Sequence, residues 1–165
     1  PQQKIDMKQE LAHLGNGAHA LAIQILGNRE DAADAVHDSF ATVLARPDRF
    51  DQSRGPLKPW FLRVVRNRCI DLLRQRKVTD DRVDLLTDHS ASPEGLLEAG
   101  QRDLQLQQAL ARLPDEQKQI IVLRDYLDLP YAEIAEVLDI APGTVMSRLH
   151  RSRMALRAQL EDNDE

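Results

Sequence analysis

Residues 113–160 read LPDEQKQIIVLRDYLDLPYAEIAEVLDIAPGTVMSRLHRSRMALRAQL, and this stretch decides the fold. It divides into three helices with very short breaks. Pro114, Asp115 and Glu116 start the first, because proline suits a helix's first turn and carboxylates favour its positive end. Ile120, Leu123 and Leu127 continue at helical spacing up to a break at Asp128, Leu129 and Pro130. Tyr131 to Leu138 forms a compact second helix, in which Ala135 is small enough to let a neighbouring helix come close. After the turn Asp139, Ile140, Ala141, Pro142 opens the third helix.

This third helix has two faces. Val145, Leu149, Leu156 and Leu160 share one side and pack inward. Ser147, His150, Arg151 and Met154 point the other way, flanked by Thr144 and Arg148. Residues 141–160 carry four arginines and no acid, in a chain of formal net charge -5. A charged face alone would suit a solvated bundle helix. A short helix, a tight turn and a basic second helix with Thr, Ser and Arg in its first turns instead predict a DNA-binding helix-turn-helix. Its hydroxyls and arginines can reach phosphates and base edges in the major groove.

The run Gly143, Thr144, Val145, Ser147, Arg148, Arg151, Ser152, Arg153 resembles the promoter −35-reading domain of extracytoplasmic-function (group IV) sigma factors. The resemblance implies DNA contacts from Thr144, Ser147, Arg148, His150 and Arg151. Met146 stands where that family often carries a basic residue, and His150 occupies a variable position, so promoter specificity does not carry over.

Length and composition frame the rest. At 165 residues the chain makes one domain or two small ones. Hydrophobic residues reach 42% but aromatics only 4%, so the cores must be built mainly from Leu, Ile, Val and Ala, which suits helices. A single cysteine, Cys69, excludes a disulfide framework and a multi-cysteine zinc site, and fits a reducing cytoplasm. With no apolar run of membrane-spanning length and no signal peptide, the expectation is a soluble cytoplasmic protein without membrane insertion. A start at Pro1 rather than methionine points to a trimmed beginning.

Charge is unevenly distributed. Residues 57–77 hold seven basic side chains against Asp71 alone, whereas residues 78–100 hold six acids against Arg82. Two basic stripes separated by an acidic segment predict two DNA-facing modules. The expected organisation is all-α: a helical bundle over residues 1–77, a flexible acidic linker over 78–98 and a helix-turn-helix domain over 99–165.

Within the first module, Leu11, Leu14, Leu21, Ala22 and Ile25 mark a first helix, weakened or bent by Gly15 and Gly17 and ended by Gly27 and Asn28. A second helix opens at Arg29, Glu30, Asp31, with Ala33, Val36, Phe40, Val43 and Leu44 as its buried stripe and Pro47 as its stop. Its Asp31, Ala32, Asp34, Val36, Asp38 and Phe40 resemble the core-polymerase-binding helix of the same sigma family. His37 replaces the usual glutamine and Ala33 the usual acid. The resemblance implies contact from Asp34, His37, Asp38 and Thr42 with the clamp helices of the largest polymerase subunit.

Residues 46–59 form a loop with three prolines and a glycine. In the family a loop here captures a flipped base of the −10 element, which by position implicates Phe50, Asp51, Gln52, Ser53 and Arg54. The next helix buries Trp60, Phe61, Val64, Val65 and Leu72. Its Trp60, Phe61, Asn67, Asp71 and Arg74 match the family's tryptophan-to-arginine signature. The resemblance makes Asn67 a −10 base contact, since an amide offers both donor and acceptor. Arg63, Arg66, Arg74, Arg76 and Lys77 are expected on phosphates, and Trp60 as a bundle anchor.

His13, His19, His37, His89 and His150 are scattered without zinc-ligand spacing, and no phosphate loop, nucleophile elbow or catalytic acid pair occurs. The chain is therefore expected to be neither an enzyme nor a cofactor or metal carrier. The resemblance implies a factor that binds core RNA polymerase, including its flap, reads promoter DNA and is restrained by an anti-sigma factor. The alternatives are a stand-alone helix-turn-helix regulator and a helical adaptor. The first would need a receiver, effector or dimer surface, and the second is disfavoured by the basic last helix.

Overall fold

The computed structural model describes residues 6–80 and 101–163, and all regular structure among them is helical. Helix α1 spans Met7–Leu26, α2 Arg29–Ala45 and α3 Leu57–Asp80. Then follow α4 (Gln101–Ala111), α5 (Asp115–Ile121), α6 (Tyr131–Leu138) and α7 (Pro142–Asn163). Most of the expected acidic linker lies outside the described residues. Val78, Thr79 and Asp80, its expected start, continue α3.

Local chemistry sets the helix ends. Asn28 caps α2 by accepting from the Asp31 amide at 2.8 Å, and its own amide donates back to the Asp31 carboxylate at 2.8 Å. Gly27, at φ 83°, ends α1 in the left-handed region that glycine enters without strain. Asp139 takes the same region, at φ 55°, to make the sharp turn between α6 and α7.

The first three helices pack around Leu11, Leu21, Phe61, Leu62 and Val65, with Phe40 stacked on Phe61 at 5.1 Å between centroids. The buried side of α2 differs from the expected stripe. Ala32, Ala35, Val36, Ser39 and Val43 are buried, whereas Ala33 and Leu44 are exposed. Ser39 tolerates burial because its hydroxyl donates to the Ala35 carbonyl at 2.8 Å. Small residues let α2 lie close to its neighbours. Trp60 is only half-buried, and Phe61 is the enclosed anchor.

The second module is built on Ile120, Leu123, Leu129, Ile134, Val137, Val145 and Leu149. Between α5 and α6 the helix widens into a π-turn at Val122–Tyr126, closed by the Leu127 amide donating to Val122 at 2.9 Å. The extra residue rotates everything after it by about 100° relative to a regular helix. Leu127 accordingly leaves the stripe of Ile120 and Leu123 and packs against Gly17 of α1.

Gly15 and Gly17 do not break α1, which is continuous through them. A Cβ at Gly15 would meet Phe40 at 3.6 Å, and one at Gly17 would meet Leu127 at 3.4 Å. Both glycines are places where another side chain comes close, the second from the other module.

Candidate nucleic-acid and polymerase interface

Three surfaces hold the expected functional residues. The first lies between α2 and the later turns of α3. Asp34, His37, Asp38 and Thr42 are all exposed on α2. A groove of about 420 Å³ runs beside them, lined by Asp31, Asp34, Asp38, Leu72, Gln75, Arg76 and Thr79. Arg68 bridges to Asp38 at 3.1 Å, and Arg76 pairs with Asp31 while donating to the Leu26 carbonyl at 2.9 Å. Arg76 therefore ties α3 to α2 and is not a phosphate ligand in this arrangement. The Thr42 hydroxyl donates to the Asp38 carbonyl at 2.8 Å, leaving its lone pairs outward.

The second surface joins the loop after α2 to the first half of α3. The loop is ordered by two short 3-10 turns, Pro47–Arg49 and Gln52–Arg54. Asp51 caps the second, accepting from the Ser53 amide at 3.0 Å and its hydroxyl at 2.6 Å. These hydrogen bonds hold the Asp51 carboxyl below its ordinary pKa. Phe50 is half-buried against Trp60, with centroids 5.1 Å apart, while Gln52, Ser53 and Arg54 are exposed. Phe50, Asp51, Arg54, Trp60 and Arg63 line a pocket of about 230 Å³. Its remaining wall includes Glu136 of α6, from the other module.

That wall belongs to a wider contact. Arg63 approaches Asp139 at 3.6 Å, and Arg66 donates to the Oε1 of Gln119 at 2.6 Å. Gln119 is buried, and desolvation lowers the pKa of the Arg66 guanidinium. The Gln24 amide reaches Gln107 at 3.2 Å across the same boundary. Asn67, one residue beyond Arg66, stays exposed, as do Arg74 and Lys77. Nothing local in the sequence indicates these contacts. Only Gly17, a helix-interior glycine, carries a trace of them.

The third surface is α7. Val145, Leu149 and Ser152 are buried, fixing the rotation of the helix. Thr144, Ser147, His150 and Arg151 are exposed, and Arg148 is half-buried. Among the described residues neither Arg148 nor Arg151 has a side-chain partner. The remaining motif residues hold the fold. The Ser152 hydroxyl donates to the Arg148 carbonyl at 2.7 Å, and Arg153 grips the Asp125 carboxylate through two nitrogens. That pairing raises the Arg153 pKa and locks α7 to the π-turn.

Among the described residues no cluster of His, Cys, Asp or Glu could hold a metal, and no helix is long and apolar enough to cross a membrane. Cys69 is buried in α3, and burial pushes its thiol pKa up to about 12.

Comparison with known proteins gives one answer. Residues 11–79 match the model of sigma-70 region 2, and residues 103–156 match sigma-70, region 4. The chain is 33% identical over 157 residues to the ECF RNA polymerase sigma factor SigW of Bacillus subtilis, covering 87% of this chain and 83% of that one. It is 32% identical over 152 residues to the RNA polymerase sigma factor SigV of Bacillus subtilis, covering 88% and 86%. Among solved structures it resembles the sigma factor RpoE of Bartonella quintana, crystallised with the anti-sigma factor NepR. That match has a TM-score of 0.78 and 26% identity, over 94% of this chain and 97% of that one. With both sigma-70 regions present in order, the chain belongs to the extracytoplasmic-function RNA polymerase sigma factors of the sigma-70 family.

Proposed function

We propose that this sigma factor directs promoter-specific initiation through the three surfaces just described, as a non-catalytic cytoplasmic subunit without a cofactor. The exposed side of α2, with Asp34, His37, Asp38 and Thr42, docks on the clamp helices of core RNA polymerase. Phe50, Asp51, Gln52, Ser53, Arg54, Arg63 and Asn67 open and read the −10 element. Thr144, Ser147, Arg148, His150 and Arg151 read the −35 element in the major groove. The modules are residues 1–77 and 99–165, joined through 78–98. The observation that carries this reading is the coexistence, in one chain, of a bare basic recognition helix and an ordered loop beside α3.

In the free protein, α5 and α6 lie over Arg63 and Arg66. Polymerase, by holding the modules apart, converts two weak DNA contacts into one effective contact. A partner that keeps the modules together blocks assembly. An anti-sigma factor of the kind bound to the Bartonella RpoE neighbour is therefore expected.

The test is run-off transcription from a promoter library with core RNA polymerase, with and without this protein. Start sites that need both components support the reading. Polymerase-independent DNA shifts with no change in transcription would favour a stand-alone regulator.

A further inference from the structure

The face of α7 turned away from the core carries Met146, Ser147, His150, Arg151 and Met154. Most of the groups around Met146 are already committed. The Thr144 hydroxyl donates to the Ala141 carbonyl at 2.7 Å, the Ser147 hydroxyl to the Thr144 carbonyl at 3.1 Å, and Arg153 to Asp125. Met146 is 66% exposed in the second turn of the helix, and buried Val145 on one side fixes its outward direction. In a helix-turn-helix the early turns of the recognition helix are the ones that meet base edges. A flexible thioether there has no donor and only a weak acceptor to offer those edges. The apolar group that the major groove displays is the thymine C5-methyl. Arginines without acids along residues 141–160 supply the complementary charge that brings the helix to the phosphates.

Building on the sigma-factor reading above, we propose that Met146 is a specificity-determining residue of −35 recognition that packs its side chain against a thymine methyl. Methionine suits this role because its unbranched chain adapts to the position of the methyl group. The element that this protein reads therefore contains a thymine opposite the second turn of α7. A basic residue at the same place would favour guanine.

The experiment begins with selection of active promoters from a library randomised over the −35 region, using core RNA polymerase and the full chain. Each thymine of the best −35 element is then replaced by deoxyuridine, which differs only by the missing methyl. At one thymine the replacement should lower initiation about fourfold, the factor expected for burying one methyl-sized group. Met146→Ala should lower initiation from the thymine promoter by a similar factor and make thymine and deoxyuridine equivalent. Met146→Arg, selected afresh, should shift that position toward guanine. Equal initiation with thymine and deoxyuridine at every position overturns the proposal, as does a methyl effect that persists in Met146→Ala. Absence of transcripts with the unaltered protein would instead remove the sigma-factor reading on which the proposal rests.

Discussion

The two helices proposed to read DNA are in opposite states. On α7 the reading side is bare, with Ser147, His150 and Arg151 exposed. On α3 part of the reading side is occupied: Arg66 is drawn onto buried Gln119, Arg63 faces Asp139, and Glu136 walls the pocket beside Trp60. The proposed −35 face is open to solvent, and part of the proposed −10 face is covered by the module that carries the first. The difference follows from where the arginines find partners. On α7, Arg153 is taken by Asp125 and Arg157 by Glu161 at the far end, while Arg148 and Arg151 have no side-chain partner among the described residues. On α3, Arg63 and Arg66 face Asp139 and Gln119 of the second module, whereas Arg68 and Arg76 pair with Asp38 and Asp31 of α2. On the proposed account, separating the modules would act first on −10 reading.

The largest effect is expected from removing the support of the sheltered site. Phe61→Ala empties a fully buried position stacked on Phe40 and should cost about 3–5 kcal/mol in denaturant melts. Next comes the bare site. Arg151→Glu replaces an exposed cation of the proposed −35 face with an anion, and should lower −35-dependent initiation by about tenfold or more. Binding to core polymerase in a pull-down should be unchanged. Equal loss of both would contradict the assignment of α7.

A finer test targets the boundary itself. Gly17→Leu places a branched side chain where even a Cβ lies 3.4 Å from Leu127, so the modules should be forced apart. Small-angle scattering should report a larger radius, and binding of single-stranded −10 DNA should rise several-fold. No change in either would mean that the boundary does not control the α3 face. The smallest effect concerns Cys69. With its folded pKa raised to about 12, against about 8.5 for a free thiol, burial of the neutral form is fully tolerated below pH 8.5. As pH rises from there toward 12, ionisation of the unfolded chain draws stability away. Native protein at pH 8 should therefore resist thiol reagents that modify the unfolded chain at once.

The helix-turn-helix was legible because its signals are local. Pro114, Pro130 and Pro142 mark helix starts, and Asp139 marks the turn, all within a few residues of what they control. The α2 stripe was less legible. Alanine and serine carry almost no hydrophobic signal, so Ala32, Ala35 and Ser39 were invisible beside Leu44, which turns out exposed. The π-turn was hidden because a 3.6-residue period assumes a regular helix, and it redirects Leu127 to Gly17. The pairing of Arg66 with Gln119 joins residues 53 apart in sequence, with no local cue. A motif lets site residues be proposed in advance, whereas the covering of Arg63 and Arg66 on α3 depends on the other module.

Spin labels on His13→Cys in α1 and Ala158→Cys in α7 would measure that dependence directly, since both positions are exposed and Cys69 is shielded from labelling. The free protein should give one narrow distance distribution, and addition of core RNA polymerase should replace it with a longer one. A broad distribution in the free protein that polymerase leaves unaltered would contradict a sheltered −10 face.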